Sequence, residues 1–159
     1  MNAAVLTASD RVSRGEAEDT SGDVLAKLLE ADGYTVERRV VPDEAPQIAA
    51  AIEELAAVAD VVLTTGGTGL GPRDVTPEAT RAVLQREAPG IAEALRADSR
   101  AKTPHGLLSR GAAGVVSGAL VVNLPGSPGG CRDGYAILSP ALGHAVSLLA
   151  GESTTHIQT

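Results

Sequence analysis

Short apolar runs that alternate with helix-period segments constrain this chain most. Residues 3–8 (AAVLTA), 34–41 (YTVERRVV), 60–65 (DVVLTT) and 118–124 (GALVVNL) read as strands, nearly continuous in apolar character. Between them, Val24, Leu25, Leu28 and Leu29 recur at helical spacing and stop at Gly33. Ile48, Ile52 and Leu55 mark one face of a second helix. Residues 76–86 and 90–102 carry two more helical patterns, the first with Thr76 as expected N-cap and Pro77 at the first helical position. A last helical segment closes the chain near residue 150, and Pro140 either kinks it or opens a new helix capped by Ser139. Residues 9–22 read as a polar loop. The tail after about residue 152 is expected to fray. Alternating strands and helices with doubly buried strands predict an α/β domain, a mostly parallel open sheet with helices on both faces. With 159 residues, no repeat and no linker, one domain over 1–159 is expected.

Composition removes several function classes. A net charge of −7 gives no basic face for a phosphate backbone, and an aromatic content of 1%, with no Phe or Trp, gives no base-stacking platform. Nucleic acid is therefore not an expected partner. One cysteine, Cys131, allows no internal disulfide, and no stretch has the length of a membrane span. Residues 1–9 lack a signal peptide's basic start and long apolar segment. A cytoplasmic protein away from membranes is expected.

In an open parallel sheet, ligands bind beyond the carboxyl ends of the strands. Four polar clusters fall there: Ser9-Asp10-Arg11, Pro42-Asp43-Glu44, the Gly66–Asp74 loop and Asn123–Gly129. Parallel strands place all four on one rim. The loop TTGGTGLGPRD (64–74) follows the apolar Val61-Val62-Leu63 as a phosphate loop does, yet it has no Gly-Lys-Ser/Thr and ends on an acid. Asp74 reads either as an acid favouring the N-terminus of the next helix or as a ligand to magnesium, which takes one or two carboxylates plus phosphate oxygens and water. In the second case the metal replaces the missing lysine. Asp43 reads as a turn residue after Pro42 or as a second acid of the same site. Ser9 and Asp10 are loop hydrogen-bonders or ligands. Arg11, Arg73 and Arg110 are surface charges or bidentate contacts to a polyanion. The segment NLPGSPGG (123–130) is a proline-set turn or a second ligand loop, and LSRGAAG (108–114) places Ser109 and Arg110 between apolar stretches. His105, His144 and His156 have no metal-ligand spacing and read as structural or solvated. Cys131 reads as an inert small residue.

Taken together, TTGGTGLGPRDVTPEAT, VVPDE, LSRGAAGV, NLPGSPGG and the opening TASDRVSRG resemble the molybdopterin adenylyltransferase family of molybdenum cofactor biosynthesis, which includes the gephyrin G domain. The match runs in order from about residue 5 to residue 150. The resemblance implies a three-layer α/β/α sandwich, a homotrimer with one site per subunit, and transfer of AMP from Mg²⁺-ATP to the terminal phosphate of molybdopterin with release of pyrophosphate. It implies Asp43 and Asp74 as catalytic acids and metal ligands. It places substrate-binding residues at Gly66, Gly67, Thr68 and Gly69 and at Asn123, Pro125, Gly126, Ser127 and Pro128; Ser9, Asp10, Thr76, Ser109 and Arg110 complete the set. Hand-over of product to a molybdate-inserting enzyme follows from the same resemblance. Two other functions fit the residues: a pterin- or nucleotide-binding scaffold without catalysis, and a nucleotide pyrophosphatase in which water is the nucleophile. Molybdate insertion itself, in the resembling pathway, needs extra domains that 159 residues do not hold.

Overall fold

The computed structural model describes residues 1–151. Its element order is β1 (Asn2–Ala8), α1 (Asp10–Ser13), α2 (Thr20–Ala31), β2 (Thr35–Val41), α3 (Ala45–Ala56), β3 (Val61–Thr65), α4 (Thr76–Val83), β4 (Arg86–Glu87), α5 (Pro89–Lys102), a 3₁₀ turn (Pro104–Leu108), β5 (Ala113–Val116), β6 (Ala119–Leu124) and α6 (Pro128–Leu149). The six strands form one sheet in the order β2-β1-β3-β6-β5-β4. β2, β1, β3 and β6 run parallel, and β5 and β4 are antiparallel additions.

Alternation along the strands splits the core in two. Ala3, Val5, Val61, Leu63, Val122 and Leu124 face one side, against Leu25 and Leu29 of α2 and Cys131, Tyr135, Leu138 and Leu142 of α6. Ala4, Leu6, Val62 and Val121 face the other, against Ile48, Ile52 and Leu55 of α3 and Ala79 of α4. The architecture is therefore a three-layer α/β/α sandwich. Leu, Ile, Val and Ala fill both halves, as the scarcity of aromatic residues requires.

The chain passes from β1 outward to β2 and then returns to place β3 on the opposite side of β1. That reversal makes the carboxyl ends of β1 and β3 a topological switch point, where an open α/β sheet leaves a crevice. Gly66, directly after β3, sits against this point: a β-carbon there would collide with the carbonyl oxygen of Ala8, the last residue of β1. Its φ of 96° is itself a conformation that favours glycine.

Several local expectations are corrected. Residues 9–22 are not all loop, because Ser9 caps α1 and the Asp19 carboxylate, accepting from Gly22 N–H, opens α2. The N-cap of α4 is Val75, with Thr76 and Pro77 already inside the helix, and α4 ends at Val83 rather than running to residue 86. The reason is a tertiary tie: the Thr76 N–H donates to the Gly67 carbonyl at 3.1 Å, which draws the first turn under the glycine loop. Residues 86–87 and 113–116 pair as β4 and β5. α6 runs through Pro140 as one helix, so no new helix begins at Ser139. The expected frayed tail lies outside the described residues.

Candidate active site

The four clusters expected on one rim do lie at the carboxyl ends of the four parallel strands. Ser9-Asp10-Arg11, Pro42-Asp43-Glu44 and the Gly66–Asp74 loop are joined by direct bonds. Asp10 and Asp43 exchange a reciprocal pair: Asp10 N–H donates to Asp43 Oδ2 at 2.9 Å, and Asp43 N–H donates to Asp10 Oδ1 at 3.0 Å. Arg73 reaches across from the glycine loop and holds both oxygens of Asp10, at 3.0 and 3.1 Å, and Glu44 Oε1 at 2.8 Å. The Arg73 guanidinium, followed by the Asp43 N–H, lowers the Asp10 pKa. Both Asp10 oxygens are thus committed within the protein. Ser9 is also occupied, its hydroxyl accepting from Val12 N–H at 3.3 Å.

The two acids singled out by the sequence differ from Asp10. Asp43 Oδ2 carries the Asp10 bond, while Oδ1 takes no donor among the described residues. Asp74 Oδ2 accepts from Gly71 N–H at 2.8 Å, and its Oδ1 is likewise without a donor among the described residues. Each therefore presents one uncommitted oxygen. The glycine loop separates them. A β-carbon at Gly67 would lie 3.3 Å from Asp43 Oδ1, and β-carbons at Gly69 and Gly71 would each lie 2.9 Å from Asp74 Oδ2. Glycine is needed here so that the backbone can approach both carboxylates. Partial burial raises the Asp43 pKa, and the neighbouring charges of Asp10 and Asp74 add to the rise.

Thr76 adds a third oxygen. Its hydroxyl is fully buried, lies against Gly67, and is an unpartnered buried side-chain polar atom among the described residues. Two carboxylate oxygens without donors and a buried hydroxyl without a partner are hard-oxygen donors of the kind magnesium takes. Among the described residues no group of three or more His, Cys, Asp or Glu side chains is placed to hold a metal ion. An ion held here takes the rest of its oxygens from substrate or water.

On the other side of the glycine loop lies a cavity of about 500 Å³. Thr68, Gly69 and Leu70 form one wall, and Ser109, Asn123, Pro125 and Ser127 line it from the two later loops. The remaining wall was not legible in the sequence. It comes from α5, the 3₁₀ turn and α6, through Leu95, Lys102, His105, Leu108 and Asp133. Lys102 is held at its edge by Asp98 at 2.8 Å and Asp133 at 3.1 Å. His105, read from sequence as structural or solvated, is a lining residue. No local pattern announces these residues, because their convergence depends on how α5 packs beside α6.

The later loops are pinned to the core. Thr65 Oγ1 donates to the Pro125 carbonyl at 2.7 Å, and Cys131 Sγ lies 3.2 Å from the same oxygen. Burial pushes the Cys131 thiol pKa up, in keeping with an inert residue. A β-carbon at Gly126 would come within 3.2 Å of Gly66 Cα, so the two glycine-bearing loops touch. Ser127 caps α6, accepting from Gly130 N–H at 3.1 Å, and Pro128 occupies the first turn. Asn123 is buried, and its carboxamide is turned inward: Nδ2 donates to Thr64 Oγ1 and Thr80 Oγ1 at 2.9 Å each, and Oδ1 accepts from Ala112 N–H at 3.0 Å. Arg110 is also turned to the protein, donating to the carbonyls of Gly69 and Asp74.

Comparison with known proteins identifies the family. The "molybdenum cofactor biosynthesis bifunctional protein" of Synechococcus elongatus is 42% identical over 94% of this chain, which matches 47% of that protein. The chain spans about half the length of the bifunctional relatives it matches. The "molybdopterin adenylyltransferase" of Helicobacter pylori strain J99 is 38% identical over 92% of this chain and 86% of its own. Among solved structures, the molybdopterin biosynthesis enzyme MoaB from Thermus thermophilus superposes with a TM-score of 0.85 at 44% identity, covering 97% of this chain and 99% of that one. The family described as "Probable molybdopterin binding domain" matches residues 4–144, and the chain belongs to it.

Proposed function

We propose that this chain acts in molybdenum cofactor biosynthesis as a molybdopterin adenylyltransferase, moving AMP from Mg²⁺-ATP to the terminal phosphate of molybdopterin. The observation that carries the reading is the pair of uncommitted oxygens, Asp43 Oδ1 and Asp74 Oδ1, at the glycine loop that walls a cavity of about 500 Å³. The curated relative of similar length bears that name.

In this reaction an oxygen of the pterin phosphate forms a bond to the α-phosphorus of ATP. The bond from that phosphorus to the α–β bridging oxygen breaks, and pyrophosphate leaves with the electron pair. Magnesium, when bound, supplies positive charge against the approaching anions. Asp43 and Asp74 would hold it, with the Thr76 hydroxyl beside them. The chain's own work is positioning and local neutralisation, the two effects on which phosphoryl-type transfer chiefly depends. The Thr68–Leu70 stretch presents backbone N–H groups, and the cavity takes the bulk of a substrate. A chain of net charge −7 attracts polyanions only locally, so these few groups must suffice. The reading includes a homotrimer with one site per subunit, located in the cytoplasm, and release of product to a molybdate-inserting enzyme.

The test is incubation of the full chain with Mg²⁺-ATP and molybdopterin. Adenylylated pterin and pyrophosphate are expected in equal amounts. Release of pyrophosphate without adenylylated pterin would make the chain a hydrolase. Binding of both ligands with neither product would make it a scaffold.

A further inference from the structure

The glycine loop is tied down through its carbonyls. Gly67 O accepts from Thr76 N–H at 3.1 Å, and Gly71 O accepts from Asp74 N–H at 3.0 Å. The other three ties all come from Arg110. Its backbone N–H donates to Thr68 O at 2.9 Å, its Nε to Gly69 O at 2.8 Å, and its Nη2 to Asp74 O at 2.7 Å. Nη1 pairs with Glu78 of α4, which fixes the plane of the guanidinium. Arg110 is itself anchored, since Arg81 donates to its carbonyl at 3.2 Å and Arg96 donates to the next carbonyl, Gly111 O, at 2.9 Å.

All peptide bonds of the described chain are trans. In a planar trans peptide the C=O of one residue and the N–H of the next point in opposite directions. Each tied carbonyl of Gly67, Thr68, Gly69 and Asp74 therefore turns the N–H that follows it, that of Thr68, Gly69, Leu70 or Val75, away from the carbonyl's own donor on Thr76 or Arg110. None of these four N–H groups has a protein acceptor among the described residues. Thr68, Gly69 and Leu70 line the cavity, whereas Arg110 does not. The loop stands between them.

We infer that Arg110 is a positioning residue for the proposed reaction: from behind the loop it fixes three carbonyls, and thereby aims backbone N–H groups at an anionic phosphate oxygen of the substrate without touching that substrate. A planar fork suits this task. Lysine carries the same charge but lacks the fixed directions needed to meet two carbonyls and a carboxylate together. Glycine contributes a slender backbone at 66, 67, 69 and 71, and Arg110 removes the freedom that so many glycines would otherwise leave. The inference rests on the adenylyl-transfer reading only for the identity of the substrate.

The experiment compares the full chain with Arg110→Ala and Arg110→Lys in two arms, neither of which needs turnover. The first measures backbone order parameters by NMR without ligand. The amides of Leu70 and Val75, which follow the two carbonyls held by the guanidinium, should fall from the rigid range of about 0.85 to below about 0.6 in the alanine variant, while Thr68 and Gly69, whose preceding carbonyls stay tied to backbone N–H groups, change less and other loops are unchanged. The second titrates Mg²⁺-ATP and molybdopterin separately. Affinity for the ligand whose phosphate the loop holds should weaken by about 10-fold or more as preorganisation is lost, and millimolar guanidinium should restore part of it to Arg110→Ala but add nothing to wild type. Should the alanine variant not fold, Arg110→Lys carries both arms with the same direction of change. A loop that stays rigid while affinity falls would mean that Arg110 contacts the ligand directly, and a loosened loop with unchanged affinity for both ligands would mean that loop order is irrelevant. Either result overturns the inference. Absence of AMP transfer with both arms as expected would refute the proposed reaction and leave the role of Arg110 standing.

Discussion

Gly67 is where backbone conformation, core packing and the acid pair meet, so a single methyl group there has a calculable effect. Its φ is 64°, in the left-handed region, where a residue with a β-carbon is disfavoured. The added carbon would collide with the fully buried Thr76 hydroxyl and stand 3.3 Å from Asp43 Oδ1. The left-handed conformation costs about 1–2 kcal/mol and overpacking a tight interior about 1–3 kcal/mol, so Gly67→Ala should destabilise by roughly 2–5 kcal/mol. For a domain of this size that is a loss of about 4–20 °C in Tm. The two contributions separate in a double-mutant cycle. Thr76→Ala removes the obstructing hydroxyl, so the Gly67→Ala/Thr76→Ala pair should be less destabilised than the sum of the singles by about 1–3 kcal/mol, leaving the backbone share. Urea unfolding of the four proteins supplies the numbers. Activity should not return with stability, because the new methyl still stands beside Asp43 Oδ1. Additivity within about 0.5 kcal/mol would refute the proposed collision, and a double mutant with wild-type transfer would show that Asp43 needs no bare backbone beside it.

Other sites give sharper single readings. Asp74→Asn should keep the fold and reduce AMP transfer by roughly 10²–10³-fold, the scale of losing one preorganised electrostatic group; a folded variant at the wild-type rate removes Asp74 from the site. Asn123→Ala strips a buried N–H and two buried hydroxyls of their partner and should cost roughly 2–5 kcal/mol in urea unfolding; a loss under 0.5 kcal/mol would show that the carboxamide is not a strut. Asp43 has a folded pKa raised above 3.8, so the native state holds its proton longer than the unfolded chain, and stability is lost as pH rises from about 3.8 to the folded pKa. In chelator, the Tm of Asp43→Asn relative to wild type should therefore rise with pH across that window, and a flat difference contradicts the assigned burial and charge crowding. Cys131, buried and with a raised thiol pKa, should resist alkylation at pH 8 until the chain unfolds; labelling of native protein at a free-thiol rate would show the segment opening.

Much of the site was legible because parallel strands convert order along the chain into position on a rim. Apolar runs identified β1, β2, β3 and β6, and their carboxyl ends had to converge whatever the loops did. Asp43 and Asp74 lie 31 residues apart in sequence and flank the glycine loop for that reason. The antiparallel edge was not legible. Two residues, Arg86 and Glu87, have no period, and Ala113–Val116 sits in a stretch of small residues equally suited to close packing. The start of α4 was displaced by one residue because a capping side chain is a local signal, whereas the Thr76 N–H is claimed by Gly67 from across the loop. Pro140 could not be placed by rule, since helix packing outweighs the backbone bond that a proline removes.

The same contrast separates residue type from residue role. Asp10, Arg110 and Asn123 have the chemistry of ligands, and the family resemblance places them on substrate. Their hydrogen bonds run elsewhere: Asp10 to Arg73 and Asp43, Arg110 to the loop carbonyls, Asn123 to Thr64, Thr80 and Ala112. What they leave uncommitted is two carboxylate oxygens, one buried hydroxyl and a row of backbone N–H groups. In a chain with so few basic residues near its glycine loop, spending an arginine on carbonyls is costly unless the N–H groups it aims bind the anion in its place. A backbone donor carries only partial charge and leaves neighbouring carboxylates free to hold a metal, whereas a guanidinium among them would pair with Asp43 or Asp74 and close the site. On the proposed reading, committing Arg110 to loop carbonyls and Glu78 and Arg73 to Asp10 and Glu44 leaves the carboxylates of Asp43 and Asp74 without an ion-pair partner among the described residues, as a metal-dependent transfer would need.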